Sequence, residues 1–533
     1  MSDKTKYIFI TGGVVSSVGK GVAVASIGAL LQSRGYSVHA RKFDPYLNMN
    51  PGKMSPMQHG EIYVTDDGFE TDLDLGYYER FLGIKLSKND SVSGGRIYWE
   101  VLNADRCGNY PDATVQMIPH VSDKIKEHFA TPVNADFVLC EIGGTVGDIE
   151  GLIFLEAARQ FANEVGRRNA MFVHLTLAPF VQSANELKTK PTQQSVRILL
   201  EKGIQADMLV VRTPRILDDD ERKKIAMFCN LSPDFVISGI DMDNIYKIPL
   251  EYERQGVTKS ILSRLEMFDS GGDMSRFQKI ADYLAADLPT INVALVENPF
   301  ESRDIYKSLF EALFHAGIQN NVRVKTNKID AKRLGAMPYE ELCATFANMN
   351  GILVPSGFNG GGIDGKVSAA RFARENKIPY LGLGQGMHAA VIEFMRNICG
   401  VKDANSAEFA DKCTPVARLL ENNTLCLGAH PFVIKNDSLA HKIYDTEKRD
   451  GRTPQISERY RHRYGLDPEF QQTLAANGMI VSGWGADKNL PEIVEIPGHP
   501  FFLGCQFNPE FQSSPYTGHP LFTAFIKSAT NAR

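Results

Sequence analysis

Residues 7–21 read YIFITGGVVSSVGKG, a short apolar run followed by a glycine-rich loop that contains Lys20. A strand, a glycine-rich turn and a helix in that order form a phosphate loop, because glycines let backbone N–H groups turn toward phosphate oxygens. The N-terminus of the following helix adds positive potential, and the lysine adds a point charge. The usual pattern places Ser or Thr after the lysine, whereas Gly21 follows here and the glycine spacing is one residue longer. A plain glycine turn in a doubly wound fold is the alternative interpretation.

Short apolar runs recur along the chain, and each is followed by a segment with helical spacing, as between Val22 and Leu31. This alternation predicts an α/β fold with parallel sheets covered by helices on both faces. The first series of predicted strands covers residues 7–13, 136–144, 171–179, 207–213 and 235–241. The second series covers residues 291–297, 322–329, 351–357 and 379–384, and short strands follow from about residue 479.

A polar stretch with few strand signals, residues 267–289, separates the two series and contains Gly271, Gly272 and Pro289. This composition is typical of an interdomain linker with some helix. The sequence therefore predicts two doubly wound α/β domains, residues 1–266 and residues 290–533.

The composition narrows the class of protein. The chain has 533 residues, of which 43% are apolar and 23% charged, and its net charge of −5 offers no basic field for nucleic acid. No run of about 20 apolar residues occurs, so no membrane span is expected, and the N-terminal apolar run is too short for a signal peptide. The eight cysteines are scattered without a CxxC pair, which favours reduced thiols in the cytoplasm over disulfides or a zinc site.

Charged residues follow the phosphate loop at positions that suit a metal ion. Residues 41–45 (RKFDP) place Lys42 and Asp44 at a predicted strand end, and residues 59–81 are dense in carboxylates. Beside a phosphate loop, carboxylates are expected to hold Mg²⁺, which takes oxygen ligands and bridges phosphates. Glu141 ends another predicted strand, where ligands collect in open α/β sheets. A solvated acidic loop is the alternative for residues 59–81.

At this point the sequence closely resembles the CTP synthase family. In the first half the matching stretches are FITGGVVSSVGKG (9–21), residues 42–76, ATVQMIPH (113–120), EIGGTVGDIE (141–150), HLTLAPF (174–180), KTKPTQQSV (188–196) and IYKIP (245–249). In the second half they are RFARENKIPYLG (371–382), SERYRHRY (457–464), QFNPEF (506–511) and GHPLF (518–522). The stretches stand in the family's order and extend over nearly the whole chain.

The resemblance implies a dethiobiotin-synthetase-like P-loop amidoligase domain followed by a flavodoxin-like class I glutamine amidotransferase domain. In this family ATP phosphorylates the 4-oxygen of UTP, and ammonia then displaces that phosphate to give CTP. The ammonia comes from glutamine in the second domain and passes through an internal tunnel. Family members use Mg²⁺, are inhibited by CTP, form tetramers with the UTP site across subunits, and stack into filaments.

The resemblance also assigns individual residues. The catalytic residues are Lys20 and Lys42, the latter at the transferring phosphoryl group, and the metal ligands are Asp74 and Glu141. The residues implied for ATP are Ser16, Ser17, Val18, Gly19, Lys20, Gly21 and Asp74, with Asp241 near the adenine. Those implied for UTP or CTP are Ser16, Asp148, Ile149, Glu150, Lys188, Lys190, Gln193 and Lys224. For any one of the lysines taken alone, a solvated surface charge is the alternative.

The second half departs from the family at its catalytic positions. The family motif G-(I/V)-C-L-G-M-Q reads GLGQGMH at 382–388, which places Gly384 at the nucleophile and His388 at the glutamine-facing Gln. Asn508 stands at the catalytic base in FNPE, so that only Glu510 of the triad remains. The oxyanion strand reads PSGFNGG at 355–361 with Gly361 for the family's arginine, and the loop at 421–429 is shortened. Because thioester chemistry needs a thiolate, these changes predict a degenerate, inactive glutaminase.

Three hypotheses follow from this combination. The first is an ammonia-dependent CTP synthase, with free ammonia or ammonia from a separate glutaminase as the nitrogen source. The second is a specialised paralogue that takes another amine or a modified uridine nucleotide. The third is a non-catalytic regulatory subunit that assembles with an active CTP synthase. Retention of Lys20, Lys42, Asp74 and Glu141 favours the two enzyme hypotheses.

Overall fold

A computed structural model describes residues 5–55, 59–298, 303–357, 361–410, 412–423, 425–444, 456–486 and 490–531 of the chain. The chain folds into two compact units, the first formed by Met1–Lys53 and Thr71–Ala285, and the second by Met54–Glu70 and Ala286–Arg533. This division differs from one continuous N-terminal domain, because residues 54–70 group with the second unit. The stretch predicted as a linker, residues 267–289, contains the helix Ser275–Ala285.

The first unit is built on a parallel sheet. The strands up to residue 240 are β1 (Lys6–Gly12), β2 (Val38–Asp44), β3 (Ile62–Val64), β4 (Glu70–Asp72), β5 (Ser91–Ser93), β6 (Phe137–Ile142), β7 (Ala170–Leu177), β8 (Phe180–Val181), β9 (Glu186–Leu187), β10 (Met208–Thr213) and β11 (Val236–Ile240). Of these, β3 lies within residues 54–70 and so belongs to the second unit. In the described part of the chain the sheet has the order β11-β10-β7-β1-β6-β2-β5, and neighbouring strands pair in parallel. The pairs β3–β4 and β8–β9 stand apart from it. The central strands are buried apolar runs, as expected for a sheet covered on both faces.

Helices cover this sheet. In chain order they are α1 (Lys20–Ser33), α2 (Asp74–Leu82), α3 (Gly94–Arg106), α4 (Ser122–Phe129), α5 (Leu152–Val165), α6 (Lys190–Glu201), α7 (Asp219–Phe228), α8 (Ile248–Arg254), α9 (Val257–Arg264) and α10 (Ser275–Ala285). Helix α1 is buried over almost its whole length because it lies between the sheet and α2. Gly28 brings the backbone of α1 close to Leu82 on α2. One face of the sheet packs on a continuous core that includes Phe9, Phe43 and Phe129.

The second unit contains a mixed sheet. Its strands are β12 (Thr290–Glu297), β13 (Arg323–Asp330), β14 (Gly351–Val354), β15 (Tyr380–Leu383), β16 (Ala404–Ser406), β17 (Thr414–Leu419), β18 (Cys426–Ile434), β19 (Ile456–His462), β20 (Tyr464–Leu466), β21 (Ile480–Gly485), β22 (Pro491–Glu495) and β23 (Phe502–Cys505). The order is β13-β12-β14-β15-β23-β22-β21-β18-β19 among the described strands. Pairing is parallel from β13 to β23 and antiparallel beyond, while β16, β17 and β20 form a small separate sheet.

The helices of the second unit are α11 (Lys307–Asn320), α12 (Ala331–Gly335), α13 (Tyr339–Phe346), α14 (Ile363–Asn376), α15 (Gln385–Asn397), α16 (Leu439–Tyr444), α17 (Gln471–Ala476) and α18 (Pro520–Asn531). Two apolar cores lie in this unit, one containing α14 and α15 and the other containing α11 and α18. The predicted α/β class is confirmed in both units. The predicted parallel pairing holds for the sheet of the first unit and, in the second unit, for the strands from β13 to β23. Within the described ranges, the structure contains no helix that is both long enough and apolar enough for a membrane crossing.

Residues 54–70 are held in the second unit by polar contacts. Tyr63 is fully buried, donates to the carbonyl of Phe511 over 2.9 Å and accepts from Arg459 over 2.8 Å. The guanidinium of Arg459 also pairs with Asp66 over 2.5 Å. Two further carboxylates are used in the same way, since Glu61 accepts from the backbone N–H of Ser308 and Glu70 pairs with Arg461. The expectation that the carboxylates of residues 59–81 serve Mg²⁺ is therefore wrong for these three, which bind partners in the second unit.

Candidate active site

The glycine-rich loop predicted to bind phosphate lies between β1 and α1, so the predicted order of strand, loop and helix is confirmed. Gly19 is the N-cap residue of α1, with φ of 97°, and no side chain caps the helix, so the N–H groups of its first turn are left for another acceptor. Val14 and Ser17 also have left-handed backbone conformations, with φ of 76° and 59°. A loop of this shape turns successive N–H groups inward and suits an anion.

Lys20 begins helix α1 and directs its ammonium group across the loop. Its Nζ donates to the carbonyl oxygen of Gly144 over 2.6 Å. Burial lowers the pKa of Lys20, although the Glu141 carboxylate acts in the opposite direction. The cation is therefore held at the C-terminal edge of the sheet, beside the loop whose anion it would neutralise.

Lys42 is the centre of a buried charged cluster. Its Nζ donates to Oε1 of Glu141 over 2.7 Å and also pairs with Asp74, and Oδ1 of Asp44 lies 3.7 Å away. Strand pairing explains the first contact, because Lys42 on β2 stands opposite Glu141 on β6. Burial alone would lower the pKa of Lys42, but the carboxylates of Asp44, Asp74 and Glu141 raise it well above its usual value. The ammonium group is therefore charged, and the structure brings together the predicted Lys42, Asp74 and Glu141.

A tyrosine that the sequence analysis missed completes this cluster. Tyr78 lies on α2, one turn after Asp74, and its hydroxyl donates to Oε2 of Glu141. Burial raises the pKa of Tyr78 well above its usual value, so the hydroxyl keeps its proton. Both carboxylate oxygens of Glu141 thus have donors. The helical spacing of Asp74 and Tyr78, four residues apart, is the signal that places them on one face.

Glycine at position 21 is explained by the same cluster. A β-carbon built on Gly21 would overlap Oδ1 of Asp74. The carboxylate therefore occupies the space where the common P-loop pattern has a Ser or Thr side chain. Glycine replaces the usual Ser or Thr at this position because α2 places the Asp74 carboxylate against the first turn of α1.

The donor set fits a magnesium ion shared with phosphates. Asp74 and Glu141 supply carboxylate oxygens, and Oδ2 of Asp44 is buried without a hydrogen-bond partner. Burial raises the pKa of Glu141, which is the direction expected for several carboxylates beside few cations. Among the described residues no three His, Cys, Asp or Glu side chains converge as a metal cage. Mg²⁺ is commonly held by one or two carboxylates with phosphates and water, so two protein ligands suffice.

A cleft beside the phosphate loop suits a nucleobase. Its walls include Val18, Gly19 and Val22 from α1 and its loop, together with Leu175, Val210, Gly239, Asp241, Ile245 and Tyr252. Arg212 crosses the cleft, donating to Oδ1 of Asp241 over 2.9 Å and to the carbonyl of Ser17 over 3.0 Å. Of the residues predicted for ATP, Val18, Gly19 and Asp241 line this cleft. Ser16 and Ser17 are exposed and are not among its lining residues.

The residues implied for UTP and CTP lie on neighbouring exposed elements. Lys190 begins α6 and Lys188 precedes it, paired with Glu186, and Gln193 donates to Oγ1 of Thr189 over 3.1 Å. Lys224 lies exposed on α7. Asp148, Ile149 and Glu150 form an exposed turn before α5. That turn packs on α6 at Gly147, where a β-carbon would lie 3.5 Å from the side chain of Ile198.

Gly384 occupies the sharp turn between β15 and α15. Its φ of 49° and ψ of −105° belong to a strained strand-to-helix turn of the kind that presents a nucleophile. A β-carbon at this position would lie 2.5 Å from Oγ of Ser356. The turn therefore survives, but the space beside it is closed by a serine hydroxyl.

The remaining triad positions form a hydrogen-bonded pair. Asn508 donates to Oε1 of Glu510 over 3.0 Å and lies 3.4 Å from Oγ of Ser356. Burial raises the pKa of Glu510 to about 7, and its Oε2 has no hydrogen-bond partner. An amide cannot accept a proton at neutral pH, so Asn508 cannot serve as the general base.

A second polar group fills the pocket beside Gly384. The carboxamide of Gln385 accepts from the buried Lys366 over 3.0 Å and donates to Glu408 over 2.9 Å. It lies directly against the backbone of Gly357, where a β-carbon would overlap its Oε1. Residues 358–360 of the predicted oxyanion strand lie outside the described residues. The carboxamide of Gln385 thus lies against Gly357, the last described residue before the gap in this strand. The sequence does not predict this contact.

Neither Cys505 nor Cys399 takes the place of a thiol at position 384. Cys505 on β23 is fully buried in the apolar core with Leu383, and burial raises the pKa of its thiol well above the usual value. Cys399 follows the C-terminus of α15, at the opposite end of that helix from Gly384. His388 bonds Oε1 of Gln506 over 2.9 Å, and burial lowers its pKa to about 4. Gly361 lies beside Lys332, at the position where the family has arginine.

Comparison with known proteins gives consistent matches over the whole chain. The family profile described as CTP synthase N-terminus matches residues 6–267, and that described as glutamine amidotransferase class-I matches residues 302–528. The chain is 49% identical to the CTP synthase of Paramagnetospirillum magneticum and 48% identical to that of Azospirillum brasilense, over 98% of each chain in both cases. A solved structure of the Trypanosoma brucei CTPS glutaminase domain with bound acivicin is 33% identical over 45% of this chain and 94% of that chain, with a TM-score of 0.43.

Proposed function

The chain belongs to the CTP synthase family, and we propose that it aminates UTP to CTP with ATP and with ammonia, not glutamine, as the nitrogen source. The observation that carries this proposal is an asymmetry between the two units. The Lys42, Asp74 and Glu141 cluster is complete in the first unit, whereas glycine stands at the nucleophile position in the second.

The first step is phosphorylation of the 4-oxygen of UTP. That oxygen attacks the γ-phosphorus of ATP, the new O–P bond forms, and the bond to the β-phosphate oxygen breaks to release ADP. Phosphoryl transfer needs cations and positioning more than covalent help. The loop N–H groups and Lys20 would hold the phosphates, and Lys42 would stabilise the charge of the transferring group. Mg²⁺, held by Asp74 and Glu141, would neutralise phosphate charge.

The second step replaces the new phosphate by nitrogen. Ammonia attacks C4 of the pyrimidine, the C4–N bond forms, the C4–O bond breaks with phosphate leaving, and the nitrogen loses its excess protons. The sum is UTP, ATP and ammonia giving CTP, ADP and phosphate. Lys188, Lys190, Gln193 and Lys224 are proposed to hold UTP, and Asp148–Glu150 to serve CTP as a feedback inhibitor. As the family resemblance implies, we place this reaction in a cytoplasmic homotetramer.

Three features of the second unit support the exclusion of glutamine. Glycine at 384 supplies no sulfur, and loss of the nucleophile from a triad lowers kcat on the order of a millionfold. Asn508 bonds Glu510 and cannot accept a proton. The carboxamide of Gln385 already occupies polar partners beside the oxyanion strand.

The test is an assay of the purified full-length chain with ATP, Mg²⁺ and UTP, and with either ammonium chloride or glutamine. We expect CTP from ammonium chloride and none above background from glutamine. Glutamine-dependent CTP with release of glutamate would overturn the ammonia assignment. ATP turnover without CTP would point instead to another amine or nucleotide, and no turnover under any condition to a regulatory subunit.

Two variants make the assay specific. Lys42→Ala removes the central cation of the first unit and should abolish CTP formation, which excludes a contaminating enzyme as its source. Glu510→Ala changes only the remnant triad and should leave ammonia-dependent turnover unchanged. A large loss in the Glu510 variant would mean that the second unit still performs chemistry.

A further inference from the structure

A buried histidine lies directly beneath the phosphate loop of the first unit. Nδ1 of His174 is 2.8 Å from Oγ1 of Thr11, and Nε2 is 2.8 Å from Oγ of Ser195. All three side chains are almost completely buried, His174 with 0% of its surface exposed. Thr11 ends the strand that enters the loop, and Ser195 lies on the inner face of α6. One imidazole thus connects the ATP loop with the helix that carries Lys190 and Gln193.

The backbone of the glycine-rich loop is in close contact with His174 and Ser195. A β-carbon on Gly13 would overlap Oγ of Ser195 and lie 3.2 Å from Nε2 of His174. The loop backbone therefore rests on the His174–Ser195 pair with no space between them. A displacement of the loop when a nucleotide binds cannot occur without moving Ser195, because packed interiors do not deform continuously.

The imidazole acts here as a neutral connector. Burial and, to a smaller extent, the Lys20 ammonium together lower the pKa of His174 to about 3. A neutral imidazole has one donor and one acceptor, and hydroxyl groups can take either role, so both hydrogen bonds are always satisfied. Strand pairing fixes the ring, since His174 on β7 stands opposite Thr11 on β1. Nothing in the phosphorylation or amination steps uses this group.

We propose that His174 is a positioning residue that couples the binding of ATP to the binding of UTP through the chain Thr11–His174–Ser195. The inference rests on the proposed function, because it takes α6 as part of the UTP site. A ligand that sets the loop in its bound position also sets Ser195, and with it the first turns of α6. The coupling is reciprocal, so each nucleotide tightens the other by the same factor.

The test measures this factor directly. The affinity of the full-length chain for a non-hydrolysable ATP analogue is determined by calorimetry without UTP and with saturating UTP. In the unmodified chain we expect UTP to tighten the analogue by about fivefold or more. Ser195→Ala cuts the chain at its α6 end and should reduce the factor to less than about twofold. Thr11→Val removes the hydrogen bond at the loop end of the chain of side chains. The coupling factor of the double variant should be no smaller than that of the single variant with the smaller factor.

A matched control separates this role from simple packing. Thr192 also ties α6 to β7, through Oγ1 of Thr176 and the carbonyl of Leu177, but has no bond to Thr11 or the loop. Thr192→Val should lower thermal stability and leave the coupling factor unchanged. An equal factor in Ser195→Ala and the unmodified chain, or an equal loss in Thr192→Val, would overturn the inference. CTP formation from ammonium is measured on the same unmodified protein, so failure of the proposed function is seen separately.

Discussion

Oδ1 of Asp74 occupies the space that a β-carbon on Gly21 would need. Helix α2 thus places a carboxylate against the first turn of α1, directly after the phosphate-loop lysine. The helix N-terminus stabilises this negative charge, and Lys42 pairs with it from the other side. Glycine after Lys20 is therefore required by the position of the Asp74 carboxylate beside Lys42.

Alanine at position 21 should remove this arrangement. Gly21→Ala displaces the Asp74 carboxylate, and we expect ammonia-dependent CTP formation to fall by about a hundredfold or more, since small misplacement of a catalytic group has that effect. Steady-state assays with varied Mg²⁺ measure it. Gly28→Ala is the matched control on the same helix, because its β-carbon meets the movable methyl end of Leu82. It should cost about 1–3 kcal/mol of stability and retain turnover. Equal activity of the two variants would contradict the prediction.

Tyr78→Phe should impair the same cluster without adding volume. The change removes the donor to Oε2 of Glu141 and leaves a buried carboxylate oxygen unpaired, which costs about 1–3 kcal/mol. We expect kcat of the ammonia-dependent reaction to fall roughly tenfold or more, by the usual conversion of free energy to rate. Tyr380→Phe, which removes a buried hydroxyl bonded to the carbonyl of Gly386 in the second unit, serves as control. Full activity in Tyr78→Phe would show that Glu141 needs no second donor.

The buried Glu510 should make stability depend on pH. Its pKa is raised to about 7 by burial, above the usual 4.5, so the folded chain binds this proton more tightly than the unfolded chain. The native state therefore loses stability as pH rises from about 4.5 to about 7, by at most about 3 kcal/mol. Glu510→Gln removes the titration. The difference in thermal stability between Glu510→Gln and the unmodified chain should shift in favour of the variant when the pH is raised from 5 to 8. A difference that is the same at both pH values would contradict the assignment.

Restoring the sulfur alone should not restore glutamine use. Gly384→Cys brings a β-carbon to 2.5 Å from Oγ of Ser356, and no base accepts the thiol proton because Asn508 is an amide. We expect neither glutamate release nor a covalent thioester, measured by coupled assay and intact mass. The combined Gly384→Cys and Asn508→His variant is the informative comparison. Glutamine-dependent CTP from the single variant would show that the pocket has decayed less than its residues indicate.

The carboxamide of Gln385 should keep free glutamine out of the pocket. It is hydrogen-bonded to Lys366 and Glu408, so these two side chains are not available to bind the carboxamide of a free glutamine. We expect no heat of glutamine binding to the unmodified chain and measurable, non-hydrolytic binding to Gln385→Ala. Gln471→Ala, which removes a carboxamide bonded to Trp484 elsewhere in the same unit, should behave like the unmodified chain. Binding of glutamine to the unmodified chain would contradict this.

The strands and the main cluster could be predicted because both follow from short-range patterns. Buried apolar runs predicted the parallel strands and placed Lys42 and Glu141 at strand ends. The pairing of β2 with β6 then brings these two residues together. Tyr78 and His174 were not predicted, because a buried tyrosine or histidine on an apolar face is more often a core residue than part of a site. Only the register of β1 against β7 shows that His174 lies beneath the loop.

The sequence does not show which carboxylates of residues 59–81 belong to the charged cluster at Lys42 and which bind other groups. These carboxylates look alike, yet Asp74 joins Lys42 whereas Glu61, Asp66 and Glu70 bind groups far away in the chain. The partners of the last two, Arg459 and Arg461, follow nearly 400 residues later. Composition and spacing carry no signal for such long-range pairs.

The path of the chain between its two units has a consequence for any attempt to shorten the protein. Residues 54–70 leave the first unit after Lys53 and return at Thr71, far ahead of the second crossing at Ala286. If the chain ended at that second crossing, Tyr63 and its neighbours would lose the residues that bury them. These residues shortly precede Asp74 in the sequence. Whichever nitrogen source the protein uses, its N-terminal half therefore depends on the fold of its C-terminal half through residues 54–70.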